Sequence, residues 1–262
     1  MNVTERRMQI FDLIKRNEVV ELNELAKHFQ VSTMTIRRDL QMFERQGLVH
    51  MNYGEAYLNK HAVHEPSFAA KSEKNLVQKQ NIGYKAAEFV EDGDTIILDC
   101  GTTPLQILPF IGNKKVTVIT NSWPCAHYAG VNSRIRLIFA PGEYYEVSAG
   151  MTGPLTVEFF EHLHADKVFM GAHGFNIENG ATEPDIAFNS KKALLAAGKE
   201  RFLLADSTKF GKTYLMKYAD LGEFHHIITD DGYTLSERQK LQEVCNDVIF
   251  ALREKWVDNL KK

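Results

Sequence analysis

The sequence has few cysteines, no long apolar run and no secretory leader pattern. Its three cysteines, Cys100, Cys125 and Cys245, are odd in number and far apart, so we expect free thiols rather than disulfides or a zinc cluster. The longest stretch without a charged residue, Val116 to Ser133, contains Asn, Ser, Pro and His, which argues against a membrane span. No apolar run follows the basic pair near the N-terminus, so we predict no signal peptide and a cytoplasmic location.

The chain also lacks the excess of positive charge that many DNA-binding proteins carry. Lys and Arg number 31 against 34 Asp and Glu, which gives a net charge of −3. Residues 1–58 hold equal numbers of basic and acidic side chains. Bulk charge therefore argues against a nucleic-acid partner, and any contact with DNA must depend on a few local cations. Apolar residues make up 44% of the chain and charged residues 25%, which excludes a disordered or fibrous protein.

Residues 1–58 have the pattern of a small helical module. Apolar residues recur at helical spacing after Thr4, a candidate N-cap, and Asn17 interrupts that run. Ser32 is a candidate N-cap for the last helix, and Gly47 suits the position just after it. Three helices, the last two joined by a tight turn, and a hairpin predict a winged helix-turn-helix. The second and third helices are predicted over residues 23–29 and 33–46, and the hairpin strands over 48–51 and 56–58.

The third predicted helix has a polar face that suits DNA. Its apolar residues Ile36, Leu40 and Phe43 share one side, so short polar side chains and arginines occupy the other. Arg binds guanine edges or phosphates, and Thr binds phosphate oxygens or contacts the thymine methyl group. The alternative is an ordinary solvated amphipathic helix. The predicted DNA contacts are Ser32, Thr33, Met34, Thr35, Arg37, Arg38, Gln41 and Arg45, with Tyr53 from the hairpin.

An ordered set of residues favours the DNA-binding interpretation. Glu24-Leu25-Ala26, Val31-Ser32, the run from Thr35 to Leu40, and Gly47 together resemble the N-terminal signature of the DeoR family of bacterial transcription regulators. The resemblance implies a double-stranded DNA operator as partner. One departure is that the family's hairpin commonly ends in Gly-Gly-Ala, whereas this chain has Gly54-Glu55-Ala56. An acidic residue there should repel phosphate.

The remainder of the chain has the pattern of an α/β domain. Short, nearly continuous apolar runs alternate with helical patterns, which predicts a mainly parallel sheet covered on both faces. We therefore expect a winged helix-turn-helix over residues 1–58, a linker over 59–78, and an effector-binding α/β domain over 79–262. The seven predicted strands cover residues 95–100, 116–120, 135–140, 167–170, 202–206, 226–230 and 248–250.

Polar and glycine-rich segments follow five of these strands. Ligands bind at the carboxyl ends of the strands in such sheets. Gly101-Thr102-Thr103 ahead of Pro104 has the composition of a phosphate-binding turn at the start of a helix. Each segment alone is equally compatible with local turn chemistry, but the five together predict a pocket for a small phosphorylated polyol. The predicted effector contacts are Asp99, Gly101, Thr102, Thr103, Thr120, Asn121, Ser122, Gly142, Gly171, His173, Gly174, Lys191, Asp206 and Lys209.

The same segments resemble the DeoR C-terminal sensor domain, which is similar in fold to ribose-5-phosphate isomerase. That resemblance implies a sugar-phosphate effector that alters DNA affinity, with no cofactor and no metal. The isomerases carry carboxylates in an Asp-Gly-Ala-Asp-Glu run, where this chain has Met170 to Gly174 without an acid. Lys191 aligns with the position of the isomerases' base, and Glu183 is expected to be a solvated loop carboxylate. We therefore predict a regulator rather than an enzyme.

Two alternatives stay open at this stage. One is a sugar-phosphate isomerase with an appended DNA-binding module, and the other is an architectural DNA-binding protein with a vestigial ligand domain. We expect a homodimer or homotetramer, because one helix with three or four base contacts gives little specificity. The family resemblance favours a repressor of a carbohydrate-utilisation operon.

Overall fold

The computed structural model describes residues 3–45, 49–52, 54–58, 67–184, 189–245 and 247–252. The chain divides into two compact units, residues 1–65 and residues 66–262, which we call the head and the body. No helix within the described ranges is both long enough and apolar enough to span a bilayer. All three cysteines are free.

The head contains three helices and a three-stranded antiparallel sheet, the arrangement of a winged helix-turn-helix. Ile36, Leu40 and Phe43 of the third helix are buried with Ile10 and Leu25 of the first two helices, so the predicted buried face is confirmed. The elements are α1 (Val3–Asn17), β1 (Val19–Glu21), α2 (Leu22–Phe29), α3 (Thr33–Arg45), β2 (Val49–Asn52) and β3 (Glu55–Leu58), with strand order β1-β3-β2.

The start of α1 and the strand β1 differ from the sequence-based expectation. Thr4 lies inside α1, which begins at Val3, so the prediction that Thr4 is its N-cap is wrong. Glu5 in the first turn interacts favourably with the helix dipole and supports this earlier start. β1 was not predicted, because three residues are too few to show an alternating pattern. Gly47 lies outside the described residues.

The body is built on a seven-stranded sheet in which every described strand pair is parallel. Each of the seven predicted strands is present, so the predicted fold class is confirmed. The strands are β4 (Thr95–Leu98), β5 (Val116–Thr120), β6 (Ile135–Phe139), β9 (Ala165–Gly171), β12 (Gly198–Leu204), β14 (His226–Asp230) and β15 (Asp247–Ala251), in the order β15-β14-β12-β9-β4-β5-β6. Two small antiparallel sheets add β7 (Glu143–Tyr145) with β8 (Gly150–Thr152), and β10 (Gly174–Asn176) with β11 (Gly180–Glu183) and β13 (Met216–Ala219).

Helices cover both faces of the parallel sheet. Alternate strand residues point to opposite faces, so Ile96 and Leu98 are buried with one group of helices and Ile97 with the other. The helices are α4 (Phe68–Glu73), α5 (Leu76–Glu88), α6 (Leu108–Ile111), α7 (Trp123–Gly130), α8 (Pro154–Glu161), α9 (Ser190–Ala197) and α10 (Leu235–Val244), with 3-10 helices at Pro104–Ile107, Ser207–Lys209 and Leu221–Glu223. α4 and the first turn of α5 fall within residues 59–78, the segment assigned to the linker.

The strand order reverses between β4 and β9. From β4 the chain continues to β5 and β6 on one side, whereas from β9 it continues to β12, β14 and β15 on the other. Connections that depart in opposite directions leave a crevice at the carboxyl ends of the two strands, where open α/β sheets bind ligands. This switch point lies beside Asp99, directly after β4, and Gly171, the last residue of β9, and we call it the crevice.

Candidate functional sites

The orientation of α3 is fixed by a buried carboxylate and a helix cap. The Asp39 carboxylate accepts hydrogen bonds from Arg6 Nε at 2.8 Å and Arg7 Nε at 2.7 Å, which attach α3 to α1. Ser32 is the N-cap of α3, as predicted, because its Oγ accepts a hydrogen bond from the Thr35 backbone N–H at 3.2 Å. These contacts hold the opposite face of α3 outward.

That outward face carries most of the predicted DNA contacts. Arg37 and Arg38 are exposed, and neither has a hydrogen-bond or ion-pair partner among the residues that the structure describes. Met34 is 56% exposed and Thr35 is half-buried. The face thus offers two uncommitted guanidinium groups among short polar side chains. Ser32, Thr33 and Gln41 are also exposed, whereas the Arg45 side chain and Tyr53 lie outside the described residues.

The acidic residue of the wing is engaged within the wing itself. The Tyr57 hydroxyl donates a hydrogen bond to the Glu55 carboxylate, and this bond raises the pKa of Tyr57 above its ordinary value. Gly54 adopts a φ of +90°, a left-handed conformation that favours glycine, and its carbonyl accepts a hydrogen bond from the Leu22 N–H at 3.0 Å. The wing is therefore tied to the start of α2.

We expect Asp39→Ala to destabilise the head by about 2–3 kcal/mol, because it leaves the buried Arg6 guanidinium without its counter-charge. Urea unfolding of the full chain, followed by a probe in each unit, measures this loss. Asp12→Ala, which removes an exposed carboxylate from α1, is the matched control. Equal unfolding midpoints for the two variants would contradict the proposed role of Asp39.

In the body, Lys191 joins three elements at the crevice. Its Nζ donates hydrogen bonds to the Gly171 carbonyl at 2.6 Å and Glu183 Oε1 at 2.6 Å, and forms an ion pair with Asp99 Oδ2 at 2.9 Å. An ammonium group has three protons, so these three acceptors satisfy it. Lys191, predicted to contact the effector, is thus occupied in linking α9 to β9, β11 and the segment after β4.

Lys191, Asp99 and Glu183 form a buried cluster of charged side chains, which we call the Lys191 cluster. Burial by itself lowers the pKa of Lys191, but Asp99 and Glu183 raise that pKa well above its ordinary value. Burial raises the pKa of Glu183, but Lys191 and His173 together hold it below its ordinary value. The expectation that Glu183 is a solvated loop carboxylate is wrong, because Glu183 ends β11 and has no exposed surface.

Gly171 and His173 complete this cluster. The Gly171 N–H donates to Asp99 Oδ2 at 2.9 Å, and its carbonyl also accepts a hydrogen bond from the Tyr218 hydroxyl at 2.7 Å. His173 Nδ1 is hydrogen-bonded to Glu183 Oε2, and its side chain is 15% exposed. His173 is therefore partly exposed to solvent while it is hydrogen-bonded to the buried Glu183 carboxylate. Tyr218, on β13, was not predicted, because nothing in its local sequence distinguishes it from a core tyrosine.

Two buried oxygen acceptors at the crevice lack donors. Asp99 Oδ1 and Asn121 Oδ1 have no hydrogen-bond partner among the described residues, although Asn121 Nδ2 donates to the Met151 carbonyl at 3.0 Å. They follow β4 and β5, which are adjacent strands. Buried acceptors almost always have a partner, so these two are suited to the hydroxyl groups of a ligand.

The turn after β4 offers unpaired donors. Among the described residues, the backbone N–H groups of Thr102 and Thr103 have no acceptor, and neither threonine hydroxyl makes a hydrogen bond. Gly101 is required because a Cβ there would lie 2.9 Å from Pro104 Cδ. The turn therefore offers backbone N–H groups and hydroxyls, the kinds of donor that bind an anion.

Several other predicted effector residues use their polar atoms within the fold. Thr120 Oγ1 donates to the Leu98 carbonyl at 2.7 Å, and Ser122 Oγ caps α7 by accepting from the Cys125 N–H at 3.3 Å. Gly142 packs closely against Thr156, and Gly174 packs closely against the Lys212 backbone. These residues shape the edge of the sheet on which the crevice lies.

Asp206 and Lys209 follow β12, and Lys209 ends the 3-10 helix that Asp206 caps. Asp206 Oδ1 accepts hydrogen bonds from Asn75 Nδ2 at 3.0 Å and from the Thr208 N–H at 3.1 Å. Burial lowers the pKa of Lys209, and Asp206 opposes this shift. Lys79 also belongs to this group, because its charge interacts with both Asp206 and Lys209. The sequence did not identify Lys79, which has the spacing of an ordinary helix lysine.

Comparison with known proteins gives matches along nearly the whole chain. The DeoR-like helix-turn-helix domain matches residues 6–62, and the DeoR C-terminal sensor domain matches residues 74–231. The HTH-type transcriptional regulator YgbI of Escherichia coli is 34% identical over 95% of this chain and 98% of its own. The glycerol-3-phosphate regulon repressor of Escherichia coli is 28% identical over 93% of this chain and 97% of its own.

Among solved structures, ribose 5-phosphate isomerase A from Methanocaldococcus jannaschii aligns with 52% of this chain and 55% of its own. The sequence identity is 19% and the TM-score is 0.40.

Proposed function

The chain belongs to the DeoR family of helix-turn-helix transcriptional regulators, and from that premise we propose that it represses a carbohydrate-utilisation operon in response to a phosphorylated sugar. The exposed arginines of α3 support sequence-specific binding to operator DNA. A relative named as a glycerol-3-phosphate regulon repressor supports repression and a phosphorylated polyol as the class of effector. The proposal implies a cytoplasmic protein.

The observation that carries the effector half of the proposal is the pair of buried acceptors, Asp99 Oδ1 and Asn121 Oδ1, beside the Gly101–Thr103 turn. Acceptors without donors suit sugar hydroxyls, and a turn with unpaired N–H groups suits a phosphate. Lys191 keeps Asp99 in place, since its protons are already used. In this arrangement Lys191 is a positioning residue and Lys209 is a cation available to the ligand.

The repressor is proposed to act as a homodimer or homotetramer. One α3 helix reaches only a few base pairs, so paired helices reading repeated half-sites are needed for operator specificity. The effector must bind one arrangement of the heads more tightly than another, because a ligand with equal affinity for both does not change the equilibrium between them. The family resemblance favours release from the operator on effector binding.

Catalysis is the second candidate, since the isomerases compared above act on a sugar phosphate and the crevice holds Asp99, Glu183 and His173. A general base needs a carboxylate that gains a proton readily, but Lys191 and His173 hold the pKa of Glu183 low. Asp99 Oδ1, which has no hydrogen-bond partner among the described residues, is then the candidate base, although Oδ2 of the same carboxylate is ion-paired with Lys191. Interconversion of any sugar phosphate by the pure protein, lost in Asp99→Asn, would establish the enzyme instead.

We expect Thr102→Asp to abolish the response of operator binding to the effector while leaving DNA binding unchanged. The substitution places a negative charge against the proposed phosphate site, and like charges in close contact cost several kcal/mol. Thr102→Asn, which has the same size without the charge, is the matched control. A screen of phosphorylated sugars by thermal shift, followed by operator binding with each hit, measures the effect. A Thr102→Asp variant that still responds would remove this turn from the site.

A further inference from the structure

Lys79 lies on α5, the helix that packs on the segment after the Gly101–Thr103 turn, although it is distant from that turn in sequence. It is in the first turns of α5, and Gly83 is one turn further along the same face. Gly83 packs directly on the helix that follows the turn, since a Cβ there would lie 2.4 Å from the Gln106 carbonyl. Both helices run away from the carboxyl edge of the sheet, and the Gln106 side chain donates to the Thr102 carbonyl at 3.3 Å. Lys79 precedes Gly83 by four residues and Thr102 precedes Gln106 by four, so both lie one turn back from this contact, toward the carboxyl edge of the sheet.

Among the described residues, the charges that act most on Lys79 are three lysines and one carboxylate. Burial lowers the pKa of Lys79 to about 8, with Lys209, Lys71 and Lys74 adding to the shift and Asp206 opposing it. Asp206 already accepts hydrogen bonds from Asn75 and Thr208. A cluster of lysines around one engaged carboxylate is electrostatically unfavourable, and an anion beside it would relieve the repulsion.

Lys79 also connects this cluster to α4. Its Nζ donates a hydrogen bond to the Lys71 carbonyl on α4. Asn75, between α4 and α5, adopts a left-handed φ of +54° and holds Asp206 and Thr208 through its side-chain amide. α4 is the first described element after the linker that leads from the head. Its position therefore depends on the same groups that surround the proposed anion site.

We infer that Lys79 and Lys209 bind the anionic group of the effector over the Gly101–Thr103 turn, and that Lys79 transmits its presence to α4 through the Lys71 carbonyl. The inference rests on the proposed function and adds two elements to it, a cation on α5 and a route toward the linker. Two ammonium groups and unpaired backbone N–H groups match a phosphate dianion. With the anion present, Lys79 is held between the anion and the Lys71 carbonyl, so α4 is held more firmly beside the site.

The test uses the full chain and inorganic phosphate as the probe, with chloride at matched ionic strength as the reference. We expect phosphate to raise the Tm of the wild-type chain and to slow amide hydrogen exchange in residues 68–75. Lys79→Met and Lys209→Met should weaken phosphate binding by about 10- to 100-fold, the loss of one charge-assisted hydrogen bond. At phosphate concentrations that saturate the Lys79→Met variant, amide hydrogen exchange in residues 68–75 should no longer slow. Lys85→Met, on the same helix and paired with Glu88 at the surface, is the matched control and should behave as wild type.

The outcomes separate this inference from the proposed function. Absence of phosphate stabilisation in the wild type, or equal stabilisation of Lys79→Met and wild type, would overturn the anion site even if a sugar phosphate still released DNA. Normal phosphate binding without a change in residues 68–75 would overturn the route through α4. Loss of phosphate binding in the two variants supports the anion site. If, in addition, no sugar phosphate alters operator affinity, control of DNA binding by an effector is rejected but the anion site is not.

Discussion

Lys191→Met is expected to destabilise the body by about 3–5 kcal/mol, the usual cost of removing one partner from a buried ion pair. The substitution leaves the Asp99 and Glu183 carboxylates buried without their shared cation. Both residues are fully buried, so water cannot replace the lost charge. The free energy of unfolding by urea at pH 7 measures the effect. Lys192→Met, the adjacent exposed lysine on α9, is the matched control and should lie within about 0.5 kcal/mol of wild type.

The pH dependence of the same variant distinguishes lost charge from lost packing. Lys191 helps to keep the pKa of Glu183 below its ordinary value of 4.5, so this stabilisation is present above that pH and is lost as pH falls through the lower folded-state pKa. In Lys191→Met, Glu183 is expected to take up a proton more easily. The difference in stability between wild type and variant should therefore shrink from pH 7 to pH 4. A difference that does not change with pH would indicate that the variant lost packing alone.

Replacing both Arg37 and Arg38 by alanine is expected to remove specific operator binding. Each arginine that reads a base or holds a phosphate contributes about 1–3 kcal/mol, so the double variant should lose at least about 30-fold in affinity. The fold should be unaffected, because both side chains are exposed and have no partner among the described residues.

Titration of the selected operator by fluorescence anisotropy measures this loss. Arg134→Ala/Arg136→Ala removes the same charge from exposed positions of the body and is the matched control. The single variants separate the two roles. Loss of specificity at one base pair indicates base contact, whereas a uniform loss and a smaller salt dependence indicate phosphate contact. If the double variant binds the operator like the control, α3 does not enter the groove.

The sequence predicted those parts of the molecule that depend on local periodicity. Ile36, Leu40 and Phe43 marked the buried face of α3, and the apolar runs marked all seven strands of the parallel sheet. Parallel pairing then brought five polar strand ends to one edge, since β12, β9, β4, β5 and β6 are contiguous. The buried face and the strands follow from the order of residues, whereas the order of strands in the sheet comes from the structure.

The contacts within the crevice could not be predicted in this way, because they join residues far apart in the chain. Glu183 is buried only because β11 pairs with β10 and β13, and short antiparallel strands give no clear sequence pattern. Lys191 stands in the position expected of a ligand contact, yet its protons are used by Asp99, Glu183 and Gly171. Lys79 comes from α5, which packs on the helix after the Gly101–Thr103 turn, and its spacing in the sequence is that of an ordinary helix lysine.

The most direct test of effector-controlled repression is operator binding measured with and without phosphorylated sugars. The full chain would first select its operator from a pool of random double-stranded DNA, and its affinity for that operator would then be titrated against each sugar phosphate. We predict a selected sequence with repeated half-sites and at least one sugar phosphate that weakens binding by about tenfold or more. A selected operator whose affinity is unchanged by every sugar phosphate that stabilises the protein would contradict the account.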